Sequence, residues 1–554
     1  MTRQSDQDAL APCRDALSAV ERFADTARDC LRARLAPHGR VGPQALEENQ
    51  GAAHGMAWYA TYARGLRQLL AWAETLEGHG TLGDIERLIL NIAFGEFAAQ
   101  LVGGIPVSAS EIVRPADLGL TESDVRDFQT PAVRTLIATG TAPDARRRLV
   151  DLVLERDAQT FGARGIDDDS LELAREQFER FVDDKIAPHA QAWHLQNALI
   201  PLAVIEEMAD LGVFGLTLPE RWGGLGLGKI AMCVITEELS RGSLAVGSIG
   251  TRSEIAAELI LAHGTEDQKQ KYLAAIADGA VIPTAVFTEP DIGSDLARLK
   301  TRAVRHGSDY RITGNKTWIT HGARADLMTL LARTGTPEEG YKGLSMFLAE
   351  KPRGGEADPF PAPGMSGHEI EVLGYRGMKE YEIAFDGFAV PANALLGGTE
   401  GEGFKQLMAT FETARIQTAA RAVGVAQSAL DHAFRYARER TQFGKPIVAF
   451  PRIAGKLAGM IVETTVARQL AYFAAREKDS AKRCDVEAGM AKLLAARVAW
   501  TNADSAVQIH GGMGYALETP VSRILCDARI LNIFEGTAEI QAQIIARGLL
   551  QGQN

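Results

Sequence analysis

The stretch that decides the fold is Phe287-Thr-Glu-Pro-Asp-Ile-Gly-Ser-Asp295, which is followed by Gly314-Asn-Lys-Thr-Trp-Ile-Thr320. The pair Gly293-Ser294 forms a small-residue turn whose N–H groups and hydroxyl can approach a phosphate closely. Trp318 and Thr320 lie two residues apart on a predicted strand. Strand alternation therefore places them on one face, where an indole can stack on a flat heteroaromatic ring. Either segment alone favours a simpler interpretation, a β-turn and a strand with a core tryptophan.

The predicted secondary structure is β-rich around this stretch and helical before and after it. Short β-rich runs separated by Gly, Asn and Asp turns extend from about 281 through Ile383–Phe388 and predict a compact all-β domain. Residues before about 280 follow helical spacing in two blocks. After about 400, long amphipathic stretches at 403–439, 450–477 and 484–508 predict antiparallel helices joined by short connections, which is typical of a helix bundle.

Composition limits the class of protein. A chain of 554 residues should divide into about three or four domains, and 46% apolar with 23% charged residues is typical of a soluble protein. A net charge of -12 offers no basic surface for nucleic acid or an anionic membrane. Five scattered cysteines without a CxxC pair argue against disulfides and a zinc site. The N-terminus lacks the apolar core of a signal peptide, so a cytoplasmic enzyme is expected.

Three further motifs follow in order: Arg440-Thr-Gln-Phe-Gly-Lys445, Gln508-Ile-His-Gly-Gly-Met-Gly-Tyr515 and Ile533-Phe-Glu-Gly-Thr-Ala-Glu-Ile-Gln541. With the first two segments, they resemble the acyl-CoA dehydrogenase family over roughly 166–554. The resemblance implies a mainly α fold with a middle β-barrel. Its expected domains are a helical N-terminal extension (1–150), a helical domain (166–280), the barrel (281–397) and a C-terminal four-helix bundle (398–554).

The resemblance also implies FAD as cofactor and an acyl-CoA as substrate. Phe287 and Thr288 are expected at the pyrimidine edge of the flavin, Gly293 and Ser294 at the pyrophosphate, and Trp318 and Thr320 beside the isoalloxazine. Ser294 is also expected to bind the substrate, at its thioester. A second set of FAD contacts is expected from the C-terminal region, mostly to the FAD of a neighbouring subunit: Arg440, Gln442, Phe443, Gln508, Gly511, Gly512 and Thr537. A homodimer or larger homo-oligomer follows. For Arg440 alone, a solvated cation at a helix end is an equally open interpretation.

Glu535 is the expected catalytic base. Dehydrogenation of a saturated thioester removes the α-hydrogen as a proton and the β-hydrogen as a hydride, so a carboxylate must act in a site that excludes water. A lone Glu near a helix start is usually a solvated residue, and only the Phe-Glu-Gly-Thr motif favours catalysis. Some family members carry the base on an earlier helix, where this chain has Ala414. By resemblance Arg415 contacts CoA, and Phe534 and Gly536 line the substrate site.

The extension and one arginine suggest the acyl group. Residues 53–62, Ala-His-Gly-Met-Ala-Trp-Tyr-Ala-Thr-Tyr, resemble the branch of the family that acts on (2S)-methylsuccinyl-CoA in the ethylmalonyl-CoA route. Such a substrate carries a free carboxylate that needs a cation, and Arg252 is the first candidate. The alternative for Arg252 is a surface or interface arginine at a helix start. Lys379 and Tyr381 are the next candidates, and Val246 replaces the arginine of glutaryl-CoA enzymes.

Three other activities stay open at this stage. They are dehydrogenation of an uncharged short branched acyl-CoA, an acyl-CoA oxidase, and a catalytically idle DNA-associated relative, which the acidic composition disfavours. An electron-transfer flavoprotein is the expected electron acceptor. The extension itself is interpreted as a structural or partner-docking module. Its aromatic residues Trp58, Tyr59 and Tyr62 follow helical spacing and are predicted to be core.

Overall fold

A computed structural model describes residues 8–36, 39, 41–157 and 160–551. The chain divides into two compact units. One comprises residues 1–172 together with 418–554, and the other comprises residues 173–417. The N-terminal extension and the C-terminal helices therefore belong to the same unit, whereas the β-rich segment belongs to the other. Among the described residues, no helix combines the length and apolar character that crossing a membrane requires.

The extension is helical, as predicted. Thr121 and Thr130 cap two of its helices by accepting hydrogen bonds from backbone N–H groups, and proline begins several others. Trp58, Tyr59 and Tyr62 are all buried, which confirms that they are core residues. Its elements are α1 (Ala11–Leu35), α2 (Pro43–Glu48), α3 (Gln50–Gly78), α4 (Asp84–Gly103), β1 (Ile105–Pro106), β2 (Ile112–Val113), α5 (Glu122–Phe128), α6 (Pro131–Gly140) and α7 (Pro143–Glu155).

The second helical block follows. Its helix α12 is the most buried of the set: sixteen residues from Leu244 to Ile260 are buried, including Arg252. Thr265 begins the last helix with a capping box, in which its hydroxyl oxygen accepts from the N–H of Gln268. The helices are α8 (Asp169–Phe181), α9 (Ala187–Leu195), α10 (Leu202–Asp210), α11 (Lys229–Gly242), α12 (Leu244–His263) and α13 (Glu266–Ala277).

The predicted β domain is a seven-stranded sheet. Its order is β3-β6-β4-β5-β9-β8, with β7 paired to β6. Its core joins buried side chains such as Tyr310, Ile312, Phe347 and Ile383. The strands are β3 (Pro283–Val286), β4 (Arg302–His306), β5 (Asp309–Thr320), β6 (Leu327–Arg333), β7 (Leu344–Glu350), β8 (Met365–Ile370) and β9 (Glu380–Pro391). The long antiparallel pair β5–β9 carries the second flavin segment, with a register shift between Lys316 and Ile319.

The C-terminal region is helical over the predicted stretches. Its elements are α14 (Gly403–Glu439), β10 (Thr441–Gln442), β11 (Lys445–Pro446), α15 (Pro451–Asp479), α16 (Asp485–His510), α17 (Pro520–Ile530) and α18 (Ala538–Leu550). The division between the two units falls inside α14, after Gln417. The helical, helical, β, helical order expected from the sequence is therefore confirmed.

The extension packs on the C-terminal helices of its own unit. Helix α3 contacts α15 and α18. The buried guanidinium of Arg497 lies over the rings of Trp58 and Tyr62, 4.9 and 5.3 Å from their centroids. It also donates a 2.7 Å hydrogen bond to the Tyr62 hydroxyl, which in turn donates to Gln100. The aromatic residues of the extension thus serve as its packing surface against α16.

Candidate active site

The loop that carries Glu535 has an unusual backbone. Glu535 and Gly536 both have left-handed conformations, with φ of 53° and 86°. The φ of Gly536 is one that L side chains rarely adopt, and a Cβ there would also press on the Gln541 side-chain amide, so this position favours glycine. Thr537 then begins α18, and its hydroxyl oxygen accepts from the N–H of Ile540 at 3.3 Å. The Phe-Glu-Gly-Thr motif is therefore a tight turn that ends in a helix cap.

Two buried side chains hold this loop by hydrogen bonds to its backbone carbonyl groups. Lys492 on α16 donates from Nζ to the carbonyl oxygen of Gly536 at 2.6 Å. Gln541 on α18 donates from Nε2 to the carbonyl oxygens of Glu535 and Gly536 at 3.2 and 3.1 Å. Both side chains are fully buried. Since three hydrogen bonds fix two successive carbonyl groups, the backbone of Glu535 is held in place independently of its side chain.

The Glu535 carboxylate itself binds two residues of α14. Its Oε2 accepts from the Arg421 guanidinium at 2.7 Å and from the Thr418 hydroxyl, and Arg421 also donates to Thr418 Oγ1 at 2.7 Å. The Arg421 side chain is fully buried and that of Glu535 is 12% exposed. Arg421 also lies over the Phe534 ring, 4.9 Å from its centroid.

Sequence reasoning missed Thr418 and Arg421. The available signal was their position: they are three residues apart in an otherwise apolar stretch of α14, and such residues share one helix face. Ala414 and Arg415, on the preceding turn, are both buried and belong to the other unit. Ala414 lies in an apolar cluster and carries no ionisable group, so it cannot serve as a base.

The predicted flavin loop is bound internally through its carbonyl groups. The Phe287 carbonyl accepts from Lys316 Nζ at 2.8 Å, and the Thr288 carbonyl accepts from the Thr317 N–H at 3.0 Å. Lys316 pairs with Glu289 at 3.2 Å, and Glu289 accepts from the N–H groups of residues 300 and 301 at 2.8 Å. Burial lowers the pKa of Lys316 to about 8. With both carbonyl oxygens engaged, the N–H groups and the Thr288 hydroxyl become the natural contacts for a ligand.

One expectation about Trp318 and Thr320 is wrong. The register shift in β5 breaks strand alternation between Lys316 and Ile319, and Trp318 adopts a left-handed φ of 57°. Trp318 is 56% exposed, whereas Thr320 is buried. The two side chains therefore do not share a face by simple alternation. The bulge instead exposes the indole, which leaves a flat apolar surface for a ring to stack on.

The alternative interpretation of Arg252 as a surface residue at a helix start is also wrong. Arg252 lies in the middle of α12 and is only 9% exposed. Its charge acts on the buried Glu380, whose pKa is raised to about 7 by burial, against the opposing effects of Thr320 and Arg252. The next candidates for binding the substrate's free carboxylate have different surroundings from Arg252. Lys379 donates to Glu369 at 2.8 Å, and burial raises the pKa of Tyr381 to about 12.

Except for Thr537, which caps α18 and is only partly exposed, the second set of predicted FAD contacts lies on exposed surface of the unit formed by the extension and the C-terminal helices. A stacked contact of Tyr436 with His510, 4.2 Å between ring centroids, joins the C-terminal ends of α14 and α16. The residues that follow those ends, with Gln508, are exposed: Arg440, Gln442, Phe443, Gln508, Gly511 and Gly512. Phe443, 92% exposed at the tip of the β10–β11 hairpin, is the clearest case. An exposed apolar ring of this size suits a contact with another molecule.

The residues present fit a bound FAD. Gly511 has a φ of 58°, a backbone conformation that itself favours glycine. Among the described residues, nothing lies within 4 Å of the Cβ position of Gly293 or Gly512, so internal packing does not require these two glycines. A ligand that approaches the backbone closely would explain them. The exposed Trp318 offers the stacking surface, and Ser294 is exposed beside Gly293. The individual FAD contacts remain predictions.

Comparison with known proteins defines the class. The N-terminal, middle and C-terminal domain profiles of acyl-CoA dehydrogenases match residues 168–280, 284–388 and 401–550. The chain belongs to the acyl-CoA dehydrogenase family, a family of FAD-dependent oxidoreductases. The fold, the class of enzyme and the cofactor expected from the sequence are therefore confirmed.

Three individual members of the family show the degree of similarity to this chain. A (2S)-methylsuccinyl-CoA dehydrogenase of Cereibacter sphaeroides is 60% identical over 544 residues, which are 98% of each chain. A benzylmalonyl-CoA dehydrogenase of Aromatoleum aromaticum is 38% identical and covers 68% of this chain and 97% of its own. The structure of a glutaryl-CoA dehydrogenase with glutaryl-CoA matches with a TM-score of 0.65 and 34% identity, over 69% of this chain and 95% of its own.

Proposed function

We propose that this enzyme oxidises (2S)-methylsuccinyl-CoA to mesaconyl-CoA, a step of the ethylmalonyl-CoA route. The observation that carries the proposal is the 60% identity to a methylsuccinyl-CoA dehydrogenase over 98% of both chains. That similarity includes the extension, which lies outside the three matched domain profiles. The similarity to a benzylmalonyl-CoA dehydrogenase, whose substrate name also denotes a dicarboxylic acyl group, supports the same substrate class.

Glu535 is the proposed base. Its carboxylate takes the α-proton of the thioester, and the C–H electron pair becomes the new double bond as the β-hydrogen leaves with its own pair. FAD, when bound, supplies the acceptor for that hydride. Lys492 and Gln541 contribute by fixing the Glu535 backbone, so that the carboxylate is presented from a rigid loop. Phe534 and Gly536 flank it as the proposed acyl contacts.

The acyl group's free carboxylate requires a cation, and Arg252 remains the proposed partner. A buried guanidinium in the middle of α12 can bind a carboxylate through two parallel hydrogen bonds in a dry environment. Lys379 is the weaker candidate because it already pairs with Glu369 at 2.8 Å. Arg415, buried on α14, is the proposed CoA contact.

The proposed partners are a second subunit and an electron acceptor. An exposed set of residues after α14 and at the end of α16 would contact the FAD of a neighbouring subunit, which makes a homodimer the smallest competent form. An electron-transfer flavoprotein is the proposed electron acceptor, and the cytoplasm the proposed compartment. An oxidase would instead reduce oxygen. Peroxide formation, measured against reduction of an electron-transfer flavoprotein, separates the two.

The decisive experiment follows flavin bleaching. The purified yellow holoenzyme is mixed anaerobically with methylsuccinyl-CoA, butyryl-CoA, isobutyryl-CoA and glutaryl-CoA. Rapid bleaching by methylsuccinyl-CoA alone is expected. Bleaching by butyryl-CoA at an equal rate would show that the substrate is an uncharged acyl group. In parallel, Glu535→Gln should keep the yellow cofactor and lose bleaching with every substrate; retained bleaching would move the base elsewhere.

A further inference from the structure

We propose that Thr418 and Arg421 form a clamp that holds Glu535 in a resting position, in which its carboxylate is charged but is a weak base. This clamp consists of Thr418, Arg421 and the Oε2 atom of Glu535. The inference rests on the proposed role of Glu535 as the base. It assigns Thr418 and Arg421 a positioning function that neither the sequence motifs nor the similarity to relatives assigns to them.

The clamp brings two hydrogen-bond donors to one oxygen of the Glu535 carboxylate. One carboxylate oxygen, Oε2, receives both donors: the Arg421 guanidinium at 2.7 Å and the Thr418 hydroxyl. Thr418 in turn accepts from Arg421 at 2.7 Å, so the three groups form a closed triangle of hydrogen bonds. Since Thr418 and Arg421 lie on one face of α14, a single rigid helix presents both donors to Glu535.

Electrostatics determines what the clamp does. The Arg421 side chain is fully buried and that of Glu535 is 12% exposed, so water screens their attraction poorly. An adjacent cation and two hydrogen bonds stabilise a carboxylate against its protonated form. While Glu535 stays in the clamp, its stabilised carboxylate has a lower affinity for the carbon-bound proton that it has to accept. The arrangement of Glu535 in the clamp is therefore suited to a resting state and poorly suited to proton abstraction.

Release from the clamp needs only a side-chain movement. The carbonyl groups of Glu535 and Gly536 are held by Lys492 and Gln541, and these contacts do not involve the carboxylate. Rotation of the Glu535 side chain away from Arg421 would leave the loop intact. We infer that acyl-CoA binding drives this rotation, while in the free enzyme the clamp keeps Glu535 deprotonated over a wider pH range.

Three further charged groups among the described residues lie near the loop and do not belong to the clamp. Lys492 on α16 binds the Gly536 carbonyl. Glu539 on α18 lies within electrostatic range of Lys492 and of His54 on α3. All three remain unchanged when the clamp is altered. A difference between wild type and a clamp variant therefore reports on Thr418 and Arg421.

The test compares pH profiles of kcat/KM for methylsuccinyl-CoA, because kcat/KM reports the ionisation of the free enzyme. Arg421→Gln should move the acid limb to higher pH, with a roughly tenfold loss at about pH 6 and a rate at about pH 8 at least equal to wild type. Thr418→Val should shift the limb in the same direction by less. An unmoved acid limb, or an equal loss at every pH, would overturn the clamp.

A matched control removes a different buried guanidinium. Arg523 pairs with Asp527 at 3.2 Å on α17, and both side chains are less than a tenth exposed. Arg523→Gln should lower the Tm without moving the pH profile. If Arg421→Gln does not fold, Thr418→Val decides the question, because it keeps the charge pair and removes the two hydrogen bonds that the Thr418 hydroxyl makes to Glu535 and Arg421. A shift in the Arg523→Gln profile equal to that of Arg421→Gln would contradict the inference.

A second readout does not depend on turnover. Infrared difference spectra between the holoenzyme and its Glu535→Gln variant isolate the carboxyl band of Glu535. As pH falls, the protonated band should appear at higher pH in Arg421→Gln than in wild type, and the same pH in both would refute the clamp. Bleaching that survives in Glu535→Gln would instead refute the base itself, so the two failures are distinguishable.

Discussion

Thr320 and Glu380 lie opposite each other on β5 and β9, and the Thr320 hydroxyl is 2.8 and 3.1 Å from the two carboxylate oxygens of Glu380. Glu380 is buried, and burial raises its pKa to about 7, although Thr320 and the nearby Arg252 favour the charged form. A buried acid that titrates near neutrality thus sits beside one predicted flavin contact and one predicted substrate contact.

Glu380→Gln should change how stability depends on pH. Because the pKa of Glu380 rises from 4.5 to about 7 on folding, the folded state favours the protonated acid. That contribution is fully present below about pH 4.5 and is lost as pH rises to about 7. Wild type should therefore lose roughly 3 kcal/mol relative to Glu380→Gln over this window, at about 1.4 kcal/mol per pKa unit. Thermal unfolding of both proteins across the window measures the difference.

The control for Glu380 lies on the same strand. Glu382→Gln removes a partly exposed carboxyl two residues along β9 and is the matched control for loss of a carboxyl from this strand. Stability curves of Glu380→Gln and wild type that run parallel with pH would show that the Glu380 carboxyl is not held in a dry environment.

Arg252→Gln should discriminate between substrates. Leaving a substrate carboxylate without its buried partner costs about 2 kcal/mol or more, which corresponds to a loss of roughly thirtyfold in kcat/KM for methylsuccinyl-CoA. Isobutyryl-CoA, without that carboxylate, should be affected only a few-fold. Arg252→Lys, which keeps the charge but loses the bidentate geometry, should fall between. Equal losses with both substrates would remove Arg252 from carboxylate recognition.

Lys316→Met should weaken FAD retention. Lys316 is fully buried, donates to the Phe287 carbonyl at 2.8 Å and pairs with Glu289, so its removal leaves the buried Glu289 carboxylate without its cation next to the predicted flavin loop. We expect a roughly tenfold weaker Kd for FAD, measured by fluorescence of the released cofactor. Lys300→Met, at a pair with 72% and 82% exposed side chains, should leave the Kd unchanged. An unchanged Kd in Lys316→Met would contradict the role of the pair.

Tyr62→Phe should loosen the packing of the extension. The substitution removes the hydroxyl that accepts from Arg497 and donates to Gln100, at a cost of about 1 to 3 kcal/mol because Arg497 is buried. Tyr59→Phe removes one hydrogen bond to the Leu101 carbonyl inside the extension and should cost less. Thermal unfolding compares the two. A smaller loss for Tyr62→Phe than for Tyr59→Phe would show that the contact to α16 contributes little.

Part of the fold was predictable because it depends on local patterns. The periodicity at 403–439 predicts a helix, and α14 spans Gly403–Glu439. The β-rich runs from 281 onward predict the sheet, although β5 contains a bulge that alternation does not anticipate. A bulge depends on how two strands pair across the sheet. The periodicity of one strand therefore cannot reveal it.

The sequence alone determined the family and the cofactor and predicted Glu535 as the base, because a motif such as Phe-Glu-Gly-Thr encodes a turn within a few neighbouring residues. Only the tertiary structure decided which side chains surround that carboxylate. Arg421 is 114 residues away in the chain and contacts Glu535 because α14 packs beside its loop. Likewise Arg252 is buried by its neighbours and not by its own sequence context. Long-range contacts and burial arise from packing, and no local pattern contains them.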